Sequence, residues 1–302
     1  MQKAAIPVQI TDSRYSWSRL ALTLLIGTVL NAGMWAIIVI MPAVEAEYSG
    51  SRAMASLPYT HTMIGFGTGN YVMGRAADQF AAMLSPIIAA FLTALGYLLA
   101  TMSGSLLMLS LAQLLVGFAS TIGFGPLIAD ISHWFVQRRG FAVAITASGN
   151  FLSGAIWPIL LANVLQDCGW RAVYLVMAVV TLAVVVPLAL ALRSRLPDKL
   201  NAAAEQASVF NAKSAGLSSS GLQYLLGLAG IGCCVAMSMP QVHIVALCVG
   251  LGYGPAVGAQ MLSLMLLGGV ASRIVSGLLA DRLGGVRTLL VGSILQCLAL
   301  FL

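Results

Sequence analysis

Arg273 and Asp281 stand eight residues apart near the end of one apolar stretch, in the run RIVSGLLADRLGGVR of residues 273–287. An arginine there carries a planar, permanently charged fork of donors that matches a carboxylate bidentately. In a helix it lies about 12 Å deeper than the aspartate, at a depth where an arginine costs roughly 2.5–3.5 kcal/mol or more. It therefore needs a partner or a wet crevice. Gly269 and Gly277, one turn to either side, leave room for something to approach. The chemistry this points to is binding: a small anionic solute held through its carboxylate by Arg273. The alternative is a side chain that snorkels, its stem covering apolar surface while its head reaches the headgroups.

The acids are informative by their placement. Of nine Asp and Glu, residues 12, 45, 47, 78, 167, 198, 205 and 281 read as tail or loop residues, and Asp130 ends an apolar run. With no carboxylate deep in such a run, a co-transported proton would rest on histidine, whose ordinary pKa of about 6.5 suits the task. His61 and His243 are the candidates, and His243, just after Pro240, is also a candidate substrate contact together with Tyr59 and Asn31. Asn70, Asn150 and Gln241 offer further polar groups; each of these side chains alternatively ties helices together. His133, beside Trp134, reads as interfacial.

The elements that must position these residues are membrane helices. Of 302 residues, 60% are hydrophobic and 8% charged, with a mean hydropathy of +0.96, against about 25% charged in a soluble domain. Runs long enough to cross a bilayer occur at about 18–43, 54–77, 82–101, 105–129, 141–165, 172–192, 221–248 and 256–280. A ninth begins near 287, and the closing QCLALFL has no polar flank, so a partial ninth span and an incomplete chain are expected. The first run is too long for a signal peptide and lacks a small-residue cleavage site. With the N-terminus inside, twelve of the fifteen basic residues fall on the cytoplasmic side, Arg52 and Arg171 fall outside, and Arg273 belongs to neither. Orientation thus accounts for the net charge of +6 without nucleic acid. The polar stretch between the sixth and seventh runs reads as a linker. The expected organisation is an all-α polytopic protein: a six-helix bundle over 1–192, a cytoplasmic linker over 193–220 and an incomplete second bundle over 221–302.

An internal repeat strengthens the two-bundle reading. GRAADQF at 74–80 follows the second run as GLLADRLGGVR at 277–287 follows the eighth, and both contain G-x-x-A-D. The longer copy resembles the cytoplasmic-loop signature of the major facilitator superfamily through Gly277, Leu279, Ala280, Asp281, Arg282, Gly284 and Arg287. The first copy matches at Gly74, Ala77 and Asp78 and departs at Gln79 and Ala81. HWFVQRRGFAVAITASGNFLSG (133–154), CGWRAVY (168–174), QVHIVAL (241–247) and RIVSGLLADRLG (273–284) resemble its monocarboxylate-transporter-like and oxalate/formate-antiporter-like branch. The resemblance implies about twelve spans, halves that rock about a central site, gating by Gly74, Asp78, Gly277, Asp281, Arg282, Gly284 and Arg287, and substrate binding by the arginine of span eight. In that branch an acid usually precedes this arginine by one turn, where the present chain has Gly269.

Other classes lose support. The chain has no H-E-x-x-H, no G-x-S-x-G and no acid pair within an apolar run, so an intramembrane enzyme has no catalytic constellation. It has no G-x-x-x-x-G-K-[ST] loop for ATP. Of its five cysteines none shows C-x-x-C spacing, and they read as small core residues. No metal or cofactor is expected. The reading is a monomeric secondary transporter of a mono- or dicarboxylate, with proton symport, anion exchange and facilitated diffusion all open, multi-pass in the cell (inner or plasma) membrane. The alternatives are a carrier of another small solute such as a sugar or drug, and a non-transporting sensor or inactive fragment.

Overall fold

In a computed structural model that describes residues 11–48, 51–76, 84–192 and 219–301, every regular element is helical. The order is α1 (Arg14–Leu30), α2 (Ala32–Glu47), α3 (Arg52–Ala55), α4 (Leu57–Ala76), α5 (Leu84–Thr101), α6 (Leu106–Ser120), a 3-10 turn (Thr121–Gly123), α7 (Gly125–Trp134), α8 (Arg139–Ala191), α9 (Ser219–Gly250), α10 (Gly254–Leu283) and α11 (Gly285–Phe301). The all-helical membrane architecture expected from hydropathy holds. Among the described residues, five segments are long and apolar enough to cross a bilayer: Arg14–Glu47, Leu84–Thr101, Leu106–Trp134, Arg139–Ala191 and Ala256–Leu283.

Local chemistry sets the breaks. Ser13 starts α1, its side chain accepting from the Ser16 N–H at 3.3 Å, and Ser105 starts α6 by the same device with Met108. Gly169, at φ 78° and ψ 174°, splits the 53 residues of α8 into two helices, near the point where the fifth and sixth apolar runs were separated in the sequence. Asn31 marks the junction of α1 and α2, and the first apolar run is built from both.

Two compact units emerge: residues 7–195 with 263–302, and residues 1–6 with 196–262. In the larger unit α4 lies on α6, α1 and α2 on α8, and α5 between α6 and α8. The α4–α6 crossing depends on absent side chains. A Cβ on Gly65 would fall on the Leu114 carbonyl, and one on Gly117 on the Thr62 carbonyl, the small-residue approach that membrane helices use. A polar chain is enclosed nearby: Thr62 Oγ1 donates to Gln113 Oε1 at 3.1 Å, and the Gln113 amide donates to the Tyr174 hydroxyl. Outside, Leu107, Val179 and Leu160 are more than half exposed, as befits surfaces solvated by acyl chains. The smaller unit holds α9 and the start of α10, where Gly258 packs on Val245.

Candidate functional site

Residues 139–154 of α8 and 266–281 of α10 run antiparallel as a seam, and each turn of one meets a turn of the other. Gly154 lies against Leu266 and the Trp35 ring. Next, Gly269 receives the Phe151 ring, to which a Cβ would come within 2.5 Å. One turn on, Arg273 lays its guanidinium over Phe151, 3.8 Å from the ring centroid, and Nη1 donates to the Ala147 carbonyl at 2.6 Å. Gly277 then abuts Ala144 and the Gly140 carbonyl. At the end, Asp281 accepts from the N–H of Gly140 at 2.6 Å and of Phe141 at 2.9 Å. The room at Gly269 and Gly277 is thus filled by α8. The Arg273 head is turned sideways into the seam, onto a carbonyl and a ring face.

Asp281 holds the first turn of α8, where backbone N–H groups lack partners within the helix and the dipole favours an anion. Beside this clasp a cavity of about 360 Å³ is lined by Arg138, Phe141, Leu278, Asp281 and Arg282. Arg273 lies two turns further along α10 and is not among its lining residues. Gly284, at φ 85°, makes the turn from α10 to α11, and Arg282 and Arg287 flank it, both exposed.

A second charged cluster sits at the same end of the bundle, and sequence reasoning had left it as orientation charge. Arg19, 1% exposed, donates bidentately to Asp130, Nε to Oδ2 at 2.8 Å and Nη2 to Oδ1 at 2.9 Å. It also donates to the Leu192 carbonyl and lies over Trp134, 4.7 Å from the ring centroid. The available signal was an arginine at the start of the first apolar run and an aspartate just past the end of the fourth.

The predicted polar residues divide. Asn31 is fully buried and its amide bridges α1 to the 3-10 turn, donating to Gly27 O at 2.7 Å and Gly123 O at 3.1 Å. Asn150 lies on the seam helix, where its side-chain and backbone oxygens both accept from Trp35 Nε1. His61 sits on α4 with Nδ1 2.8 Å from the Leu57 carbonyl, two residues from half-buried Tyr59. Asn70 donates to Phe66 O. His133 falls in the last turn of α7. His243 and Gln241 belong to α9, in the smaller unit, with His243 exposed. Gly74 lies in the last turn of α4, while Asp78 is outside the described residues.

At the opposite end of this bundle Arg171 binds Glu47 bidentately, at 2.7 and 2.9 Å, reaches Ser103 O, and stacks on Trp170, whose Nε1 also donates to Glu47. Both charges lie beyond the apolar runs 18–43 and 172–192. The Arg171 hydrogen bonds hold the Glu47 carboxyl below its ordinary range, against partial burial and with help from Trp170. Among the described residues, no group of His, Cys, Asp or Glu is gathered where it could hold a metal ion.

The family model of the Major Facilitator Superfamily matches residues 23–302. The chain is 31% identical over 176 residues to an MFS-type transporter, pytF, of Aspergillus terreus, covering 58% of this chain and 57% of that protein. It is 28% identical over 203 residues to human monocarboxylate transporter 11, covering 65% and 41%, and 27% identical over 244 residues to rat monocarboxylate transporter 13, covering 80% and 55%. The chain spans about half the length of the curated relatives it matches.

Proposed function

Because the chain belongs to the major facilitator superfamily, we propose that it moves a small organic anion, a mono- or dicarboxylate, across a cell membrane by alternating access, without ATP. The observation that carries this reading is the Arg273 guanidinium on the α8–α10 seam, turned onto Ala147 O and the Phe151 face. A carboxylate meets such a fork with two parallel charge-assisted bonds, stronger than a single bond to a carbonyl. The relatives named monocarboxylate transporters support the anion class.

The seam gives the cycle its parts. Arg273 binds the carboxylate, Tyr59 and Asn31 are the further contacts proposed within the larger unit, and His61 or His243 carries a coupled proton if one moves. Asp281 latches the cytoplasmic end through Gly140 and Phe141, with Gly277 allowing the close approach and Arg282, Gly284 and Arg287 shaping the turn. Gly74 and Asp78 form the corresponding loop of the first half, in a two-bundle protein whose N-terminus is cytoplasmic. Binding that draws Arg273 from α8 to the solute exchanges one set of contacts for another across the seam, and such a differential contact is what couples occupancy to conformation.

The test is counterflow in liposomes with labelled lactate, pyruvate, formate and oxalate, for the protein and for Arg273→Ala. Uptake of at least one carboxylate that the substitution abolishes is the expected result. Unchanged uptake in the variant, or accumulation of neutral sugars in place of carboxylates, overturns the reading.

A further inference from the structure

We infer that Asp12 is a positioning residue for the Asp281 latch, because the two aspartates take neighbouring backbone N–H groups, Asp12 in the short connection between α7 and α8 and Asp281 in the first turn of α8. The inference rests on the latch reading of Asp281 above.

Asp12 precedes α1 and lies against residues 134–137. Its N–H donates to the Trp134 carbonyl at 3.1 Å, and its Oδ2 accepts from Val136 N–H at 3.1 Å and Gln137 N–H at 3.2 Å. Three hydrogen bonds therefore fix the residues leading into α8. Three positions later, the Gly140 and Phe141 N–H groups are the donors that Asp281 takes. The direction of those N–H groups is set by the angle at which the chain enters the helix, and Asp12 sets that angle.

Two more observations assign the contact to positioning. Asp12 holds φ 56°, a left-handed value uncommon for a non-glycine residue but accessible to an aspartate whose short side chain bonds nearby backbone. The aromatic side chains after it continue the grip: Tyr15 packs on Trp134, with ring centroids 5.2 Å apart, and Trp17 meets Phe135 edge-on at 5.2 Å and Phe141 at 6.1 Å. Trp17 also carries the Arg138 guanidinium, 5.9 Å from its ring centroid. The N-terminal hook thus reaches Phe141 itself, one of the two residues that Asp281 binds. When the hook lets go, the first turn of α8 swings, Asp281 loses its donors, and the cytoplasmic end of the seam opens.

Spin labels at Val136 and Leu283, which are 52% and 45% exposed, report the seam by their distance distribution in the nanodisc-reconstituted protein with its native cysteines replaced by alanine. Asp281→Ala depopulates the short distance, which defines the open state. Asp12→Ala raises the open-to-closed ratio about three- to tenfold; Asp12→Asn, which keeps an acceptor oxygen, restores most of the short distance; Asp12→Ala adds nothing in the Asp281→Ala background. A control pair at Leu25 and Leu107, within the helical bundle, keeps its distance throughout. No response to Asp281→Ala overturns the latch itself. A response to Asp281→Ala with none to Asp12→Ala, an additive double variant, or a control pair that broadens with Asp12→Ala overturns the positioning role alone.

Discussion

Two arginines in apolar helices meet different fates in this molecule. Arg19 is sealed in, 1% exposed, with both ends of its fork on Asp130 and its face on Trp134. Arg273 is half-buried on the seam, with a carbonyl below one nitrogen and the Phe151 ring under its plane. The same side chain serves two ends because its partners differ in charge and in place. Arg19 and Asp130 neutralise each other, so their tie reads as structural. Arg273 reaches across to the Ala147 carbonyl and the Phe151 ring, on a helix more than a hundred residues away in sequence, and a carboxylate that takes over the fork changes what joins the two helices.

The largest effect that tests this contrast is on Arg19. Arg19→Ala leaves Asp130, 22% exposed, without its countercharge, and since removing one member of a fully buried pair costs about 3–5 kcal/mol, this half-buried pair falls toward or below the lower end. The expected outcome is loss of folded protein in a thermal melt of the detergent-solubilised chain. Replacing Arg19 and Asp130 together by apolar residues recovers much of that stability, because no lone charge remains. Arg273→Ala behaves in the opposite way: its melt stays near that of the unchanged protein, and carboxylate uptake falls roughly 10- to 100-fold, the scale of one or two lost charge-assisted hydrogen bonds. Arg273→Lys keeps the charge without the fork and recovers only part of the uptake. A melt of Arg273→Ala as damaged as that of Arg19→Ala would place both arginines in the same structural class and dissolve the distinction.

How much of this was legible beforehand follows from range. The eight-residue interval between Arg273 and Asp281 lies within one helix, so their shared span and difference in depth could be read from periodicity. The stop at Gly284 and the break near Gly169 are local turn chemistry and were readable in the same way. What occupies the notches at Gly269 and Gly277 was not readable, since Phe151, Ala144 and Gly140 come from a helix whose register against α10 is set only by packing. The grip of Asp12 on Val136 and Gln137 joins residues more than 120 positions apart, and nothing in a lone tail aspartate announces it. Asn31 was recognisable as a polar group inside an apolar run. Its attachment to Gly123 depends on the interruption of the fourth span by a 3-10 turn.

A smaller effect separates close approach that holds the bundle from close approach that lets the seam move. Gly117 touches the Thr62 carbonyl, and Gly277 touches Ala144 and the Gly140 carbonyl. A methyl at 117 must push α4 off α6, within a helix pair that also shares the enclosed Thr62–Gln113 hydrogen bond, so Gly117→Ala lowers stability by about 1–3 kcal/mol in the same melt. A methyl at 277 parts α8 from α10 at the latch. There the expected signature is a shift of the Val136–Leu283 distance toward the open state at little cost in melting. If Gly277→Ala destabilised as much as Gly117→Ala with no change in that distance, the seam would be ordinary bundle packing.

The smallest expected effect lies at the far end of the bundle, where Glu47 joins Arg171, Trp170 and, through Arg171, the Ser103 carbonyl. Its side chains are 36% and 41% exposed, so water screens the pair and its contribution is modest. The sign is nonetheless determined. The Arg171 hydrogen bonds lower the carboxyl's pKa in the folded chain, so this pair stabilises above the unfolded value, about 4.3 for a glutamate, and the gain disappears as pH falls through the lower folded value. Melting temperature therefore declines on the acid side, and Glu47→Gln flattens part of that decline while lowering the neutral-pH plateau slightly. Because the pair joins the end of α2 to the start of the second half of α8, it braces the bundle at the end away from the latch. Acidification in this range should thus soften the brace and leave the Val136–Leu283 distance unmoved, which separates the Glu47–Arg171 staple from the proposed latch at the other end.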